Sequence, residues 1–314
     1  MLIGLSLSHV ALLLAAGLLL DLLLGETRRW HPLVGFGNLA AFIERRLNGG
    51  NARLLRGSVA WALAVLPLSF LFLMLTDVAG LWLHAVLLYV CIGLRSLRDH
   101  TIPIYEALRA GDLAQARALT ARIVSRDTAN AQEPDLAKAS AESLLENGND
   151  AVFGTLFWFI LLGGMGAVLF RLANTLDAMW GYRSERFNLF GRCAARIDDV
   201  MNYVPARLTA LSYVLLAGAG RARAWQCWRT QAPAWSSPNA GPVMASGAGA
   251  LGVSLGGAAV YDGEVEQRPP LGSGPAASTG DILRAWKLVL RTALMWAGVI
   301  CLLAVLLSIG ASHA

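Results

Sequence analysis

Three carboxylates, Glu142, Glu146 and Asp150, recur at a spacing of four in AESLLENGNDAVFGTLFWF, just ahead of an aromatic-rich apolar run. On a continuous helix they share one face, where like charges repel by roughly 0.2–0.5 kcal/mol per neighbouring pair in water and by more in a low dielectric. Nothing within the stretch answers them. Either arginines from elsewhere or a divalent cation must. Magnesium takes one or two carboxylates and completes its shell with phosphate oxygens, so it suits the set. An acidic, solvated face is the competing reading.

A second constellation occupies NTLDAMWGYRSERFNLFGRCAARIDDVMNYVPARLTAL, residues 174–211. Asn174, Asp177, Arg183, Arg186, Arg196, Asp198, Asp199, Asn202 and Arg207 alternate there with Trp180, Tyr182, Phe187, Phe190 and Tyr203. The mixture is too apolar for a free loop and too charged for a membrane span, and its polar groups need partners. It fits the floor of a pocket at a membrane surface, with an interfacial ion-pair network as the alternative. Asp198 and Asp199 could hold a second metal or orient an arginine. Asp21 stands inside an apolar run, a costly place for a charge, and reads either as functional or as a helix-end residue at the interface. His31-Pro32 follows a juxtamembrane turn, where His31 could donate to an anion. VSRDTAN (124–130) sets Arg126 beside Asp127 and Thr128 and, on physics alone, reads as a solvated helix end.

Ser237, Asn239 and Gly241 belong to a Ser-Pro-Asn turn whose backbone N–H groups could cradle an anion. The following GAGALG, Gly247 to Gly252, matches the dinucleotide pattern, but no apolar strand precedes it and the strand-turn-helix unit is missing. An alanine- and glycine-rich helix with close packing is expected instead. No Walker lysine follows a glycine loop and no G-x-S-x-G elbow occurs, which sets aside P-loop and serine-hydrolase chemistry. The cysteines are widely separated and the histidines lack paired spacing, so disulfide, zinc and histidine-metal readings fall away as well.

These groups must be positioned by a very apolar chain. Of 314 residues 56% are hydrophobic and 15% charged, with mean hydropathy +0.52, the balance of an integral membrane protein. Among 26 basic residues only Lys138 and Lys287 are lysines, so the net charge of +5 is nearly all guanidinium, suited to lipid headgroups, phosphates and carboxylates. The arginines are scattered rather than striped, which argues against nucleic acid. The expected class is an all-α polytopic helical bundle with a large helical and loop region on the cytoplasmic side. Spans are expected at 2–24, read as a retained helix and not a signal peptide, and at 57–76, 79–94 and 286–310. Residues 151–170, broken by Gly163, Gly164 and Gly166, and residues 206–219 are ambiguous. If both are re-entrant, every arginine-rich segment falls on one side, as the positive-inside rule favours. Residues 99–124 read as an amphipathic helical hairpin turning at Gly111-Asp112, and 232–281 as a Gly/Pro-rich loop region with little helix.

Together these stretches resemble the membrane-bound adenosylcobinamide-phosphate synthase family of cobalamin biosynthesis. The likeness runs through DLLLGE and HPLVGFG, SRDT, ESLLEN with its following Asp and LFW, the 174–211 block, SPNAGPVMA with GAGALGV, and RPPLG, and it covers nearly the whole chain. The resemblance implies an ATP-dependent ligation in the inner membrane. A propionate carboxylate of adenosylcobyric acid is joined to 1-amino-2-propanol or its phosphate, through an acyl phosphate that the amine attacks. Such a reaction needs magnesium on the phosphates, cations for developing charge and a carboxylate for the amine proton. On this reading Glu142, Glu146 and Asp150 are catalytic groups and magnesium ligands, with Asp198 and Asp199 as a second acidic pair. Arg126, Arg183, Arg196 and Arg207 are the phosphate candidates, and Asn239 and Gly241 contact phosphate or corrinoid. Asp21, His31, Asp127, Asn174, Asp177, Tyr182, Asn202 and Ser237 complete the expected substrate-binding set. Expected partners are the corrinoid, the amino alcohol phosphate, ATP with Mg2+, membrane lipid, and the later membrane-bound enzymes of nucleotide-loop assembly.

The chain departs from the family pattern in places. The family usually reads E-N-T-x-D-G where Glu146-Asn147-Gly148-Asn149-Asp150-Ala151 stands, and R-P-x-L-G-D-G where this chain has RPPLGSGP with Ser273. Glu26 replaces a usual aspartate. A transporter, suggested by the glycine-broken segment and Asp21, and a non-catalytic membrane sensor on the same fold are the competing classes. Transporters commonly show paired halves, and no repeat is evident.

Overall fold

Helix-forming apolar runs, punctuated by Gly, Asn and Pro, build nearly all of the computed structural model, which describes residues 4–27 and 31–312. The first residues of the expected 2–24 span and His313 lie outside the described residues. The helices are α1 (Leu7–Leu24), α2 (Pro32–Leu47), α3 (Arg53–Ala79), α4 (Trp82–Cys91), α5 (Leu94–Arg109), α6 (Leu113–Thr120), α7 (Glu133–Gly148), α8 (Gly154–Trp180), α9 (Arg192–Leu216), α10 (Arg221–Gln231), α11 (Ala240–Leu251) and α12 (Thr279–Ser312). A π-turn, Asn149–Phe153, joins α7 to α8, and a hairpin of β1 (Ser254–Tyr261) and β2 (Glu264–Gly272) separates α11 from α12. Among the described residues four helical stretches are long and apolar enough to cross a membrane: Leu7–Leu24, Arg53–Ala79, Glu133–Trp180 and Thr279–Gly310. The protein is an all-α membrane protein carrying one small hairpin. Its contacts divide it into two units, Met1–Gly93 with Gly154–Asn202 and Trp296–Ala314, and Leu94–Phe153 with Tyr203–Met295.

In the first unit α8 does not run straight. Gly163 takes φ +59°, ψ −149°, a conformation essentially confined to glycine, and the chain folds back there. Gly166 lies so close to the Trp158 carbonyl that a Cβ would stand 2.2 Å from its oxygen, and a Cβ on Gly154 would stand 2.2 Å from the Phe170 ring. Residues 16 apart on a straight helix are ~24 Å apart, so this run is two antiparallel limbs. The turn frees the Gly164 N–H, which donates to buried His84 Nδ1 at 2.9 Å, fixing that ring nitrogen as an acceptor. Residues 79–94 yield only the ten-residue α4, about 15 Å long and short of the expected span. The loop after α8 meets the end of α2: Arg186 pairs with Glu44 at 2.6 Å and Asn48 donates to the Arg186 carbonyl at 3.1 Å. The end of α2 and the arginine-rich loop after α8 therefore share one end of this unit.

In the second unit α5 and α6 form the expected hairpin, turning at Gly111, φ +76°, with the Asp112 carboxylate capping the Gln115 N–H at 2.9 Å. The GAGALG run is helical, lying in α11 and closing at left-handed Gly252. A Cβ on Gly249 would stand 2.7 Å from Ala224 Cα, and one on Gly247 2.7 Å from Leu145 Cδ2, so these glycines serve close packing against α10 and α7. The 232–281 loop expectation fails here. Twelve of its residues form α11, and β1 pairs antiparallel with β2 from Ser254↔Gly272 to Tyr261↔Glu264. Asp262 and Gly263, at φ +50° and +80°, make the two-residue turn.

Candidate functional site

The carboxylate that repulsion singled out is answered by arginine. Glu142, on α7, has a side chain only 2% exposed. Arg126 from the SRDT loop pairs with its Oε2, and Arg268 from β2 donates to Oε2 at 3.1 Å and to Oε1 at 3.2 Å. The Gly256 N–H of β1 donates to Oε1 at 2.7 Å. Both carboxylate oxygens are thus committed to charge-assisted hydrogen bonds. The expected magnesium triad does not assemble: among the described residues no group of three or more His, Cys, Asp or Glu could hold a metal ion. Asp150 sits in the π-turn, where its Oδ1 accepts from Asn149 Nδ2 at 3.0 Å. Gly148, where the family carries a hydroxyl, is packed tightly: a Cβ would stand 3.1 Å from Val289 and 3.2 Å from the Tyr213 hydroxyl oxygen.

One turn beyond Glu142, the half-buried Glu146 carboxyl has no hydrogen bond or ion pair among the described residues. It follows Glu142 by four residues on the same face of α7. A carboxyl with no committed partner has both oxygens open to accept a proton.

The same arginine opens onto a cavity of about 450 Å³ lined by Arg126, Asp127, Thr128, Asn130, Asp135 and Lys138, with the hairpin backbone at Ala258–Val260 as the facing wall. Lys138 Nζ donates to the Ala258 carbonyl at 3.0 Å. Asp127 holds the hairpin at both ends of its own backbone and side chain: its N–H donates to Val260 O at 2.8 Å, and its Oδ2 accepts from the Gly263 N–H at 2.7 Å. The SRDT loop is accordingly a clamp on the β-hairpin, not a solvated helix end. Arg268 and Lys138 are the residues missed from sequence. Arg268 is the only basic residue in 232–281, a signal that some acid must meet it.

The Ser-Pro-Asn turn is not an open cradle. Ser237 Oγ already accepts from the Asn239 and Ala240 N–H groups at 3.3 and 3.1 Å, and the Gly241 N–H donates to Ser237 O. Arg207 is engaged with Asn239 Oδ1 at 2.7 Å and lies 3.6 Å over the Tyr203 ring, so it braces α9 against the start of α11.

The remaining expected residues belong to the first unit. Asp198 accepts from Asn174 Nδ2 at 3.2 Å and from Asn202 Nδ2 at 3.0 Å. Burial pushes Asp198 up to about 6 against those two hydrogen bonds, and burial also raises Asp199 against the charge of Arg183. Asp177 packs on Gly181, where a Cβ would stand 2.0 Å from its Oδ1. Tyr182, Arg183 and Arg196 are exposed. Asp21, 1% exposed, and His31 line a cavity of about 160 Å³ with Tyr89. His31 Nδ1 caps α2 by accepting from the Leu33 N–H at 3.2 Å, which removes that nitrogen as an anion donor.

A family profile described as CobD/Cbib protein matches residues 14–289. The cobalamin biosynthesis protein CobD of Stutzerimonas stutzeri is 56% identical over 303 residues, covering 95% of this chain and 97% of the relative. Its namesake from Chromobacterium violaceum is 53% identical, covering 97% and 99%. A probable cobalamin biosynthesis protein CobD from Pyrococcus furiosus is 40% identical over 212 residues, covering 65% and 73%. No solved structure matches the chain.

Proposed function

The chain belongs to the CobD/CbiB family and to cobalamin biosynthesis, and on that premise we propose that it is an adenosylcobinamide-phosphate synthase. It ligates a propionate carboxylate of adenosylcobyric acid to 1-amino-2-propanol O-phosphate, or to the free amino alcohol, at the expense of ATP. The γ-phosphoryl group passes to a carboxylate oxygen, giving an acyl phosphate and ADP. The amine nitrogen then attacks the acyl carbon, the amide forms, phosphate leaves, and the amine proton passes to a base.

One observation carries this reading: an unpaired carboxyl, Glu146, follows by one turn a carboxylate locked between two guanidiniums beside a cavity. Glu146 is the base. Arg126 and Lys138 in the cavity supply positive charge for a phosphate chain. Glu142 is a positioning residue that holds Arg126 and the hairpin wall in place. Because both of its oxygens are taken, we assign magnesium to the phosphates of the nucleotide, where it would neutralise their charge. The arginines of the cavity's own unit, from Arg95 to Arg126, favour the cytoplasmic side of the inner membrane by the positive-inside rule, within reach of later membrane-bound enzymes of the pathway. The test is incubation of the purified protein with adenosylcobyric acid, the amino alcohol phosphate and Mg-ATP, followed by mass spectrometry. The amide product with equimolar ADP is expected. Corrinoid uptake into proteoliposomes with no amide would instead favour a transporter.

A further inference from the structure

Helix α3 marks its own depth in a bilayer. Between Arg56 and Asp77 run 20 uncharged residues, Gly57–Thr76, about 30 Å of helix and so the thickness of a hydrocarbon core. The turns from Arg53 to Ser58 therefore stand at headgroup level. In the same unit Gly57 meets the Phe190 carbonyl, where a Cβ would stand 1.9 Å from the oxygen, and this contact pins the start of α9 against α3.

Between the two helices runs a groove of about 530 Å³, lined by Leu54 and Ser58 on one side and by Arg192, Arg196, Ile197 and Val200 on the other. Its floor is apolar and open, with Val200 74% and Leu54 46% exposed. Its edge is cationic. Arg192, Arg196 and Val200 follow at a spacing of four on one face of α9, and both arginines are exposed. Neither guanidinium has a hydrogen-bond or ion-pair partner among the described residues. The nearby Arg53 and Arg56 are engaged with the carbonyls of Arg186 and Gly49.

Two guanidiniums one turn apart, beside an apolar trough at headgroup depth, complement a phosphate that carries an acyl chain. A soluble phosphate would use the arginines and leave the trough exposed. We propose that this groove binds an anionic phospholipid, its phosphate on Arg192 and Arg196 and one acyl chain along Ile197, Val200 and Leu54. Arg196, expected from sequence to serve the reaction, is thereby assigned to the membrane.

The probe is phosphatidylglycerol, titrated against phosphatidylcholine on the full chain in detergent, with bound lipid counted by native mass spectrometry. Phosphatidylglycerol is expected to be retained in preference. Combining Arg192→Gln with Arg196→Gln lowers its affinity roughly thirtyfold. Val200→Trp, which fills the trough and leaves the charge unchanged, weakens it too, and excess inorganic phosphate does not displace it. Equal retention of the two lipids, unchanged affinity in the double variant or in Val200→Trp, or displacement by inorganic phosphate overturns the proposal.

Discussion

Glu142 and Glu146 are chemically identical, one turn apart, and put to opposite uses by their neighbours. Removing the Glu142 charge strands two buried guanidiniums, a cost of about 3–5 kcal/mol. Glu142→Gln is therefore expected to lower the thermal midpoint. Glu146→Gln is expected to behave in the reverse way. Its carboxyl has no ion pair or hydrogen bond to lose among the described residues. The glutamine variant should keep the thermal midpoint while turnover disappears. Sequence alone identified Glu142 as a charge needing an answer and allowed arginine or metal. It could not choose, because Arg268 arrives from 126 positions away.

At the scale of elements, the kink in α8 has a specific support. Replacing His84 with leucine leaves the Gly164 N–H without its acceptor in a buried setting, a loss of about 1–3 kcal/mol. Thermal unfolding of His84→Leu should register that loss, and an unchanged midpoint would contradict the support. The glycine-broken run was legible as irregular, since Gly163, Gly164 and Gly166 interrupt it, although its reversal depends on contacts 8 and 16 residues apart. The α5–α6 hairpin and the helical GAGALG were legible for the same local reasons. The β-hairpin was overlooked because Gly256, Gly257, Pro269 and Pro270 argue against strands. Its one clear signal, Asp262-Gly263 between Tyr261 and Glu264, is a two-residue hairpin turn.

For the whole molecule, composition sufficed to declare a membrane protein, whereas spans could not be counted from hydropathy. The stretch 79–94 is apolar enough to be taken for a span, yet its helix stops at ten residues, and 151–170 is long enough and turns back. Within the first unit the basic segments on either side of that run meet through Arg186 and Glu44. A cysteine introduced at Asn51 or at Ser184, with Cys193 and Cys301 replaced by serine and the buried Cys91 and Cys227 kept, should consequently be labelled by an impermeant maleimide from the same side of the membrane in both variants. Labelling from opposite sides would break this arrangement.

The central claim is that ATP activates a corrinoid carboxylate by phosphorylation before the amine attacks. Adenosylcobyric acid carrying 18O in its free carboxylate tests it directly, with the released nucleotide and phosphate read by mass spectrometry after one turnover. Amide product with one 18O in inorganic phosphate is the predicted result. Label in AMP, or amide formed with no label passed to phosphate, would contradict it.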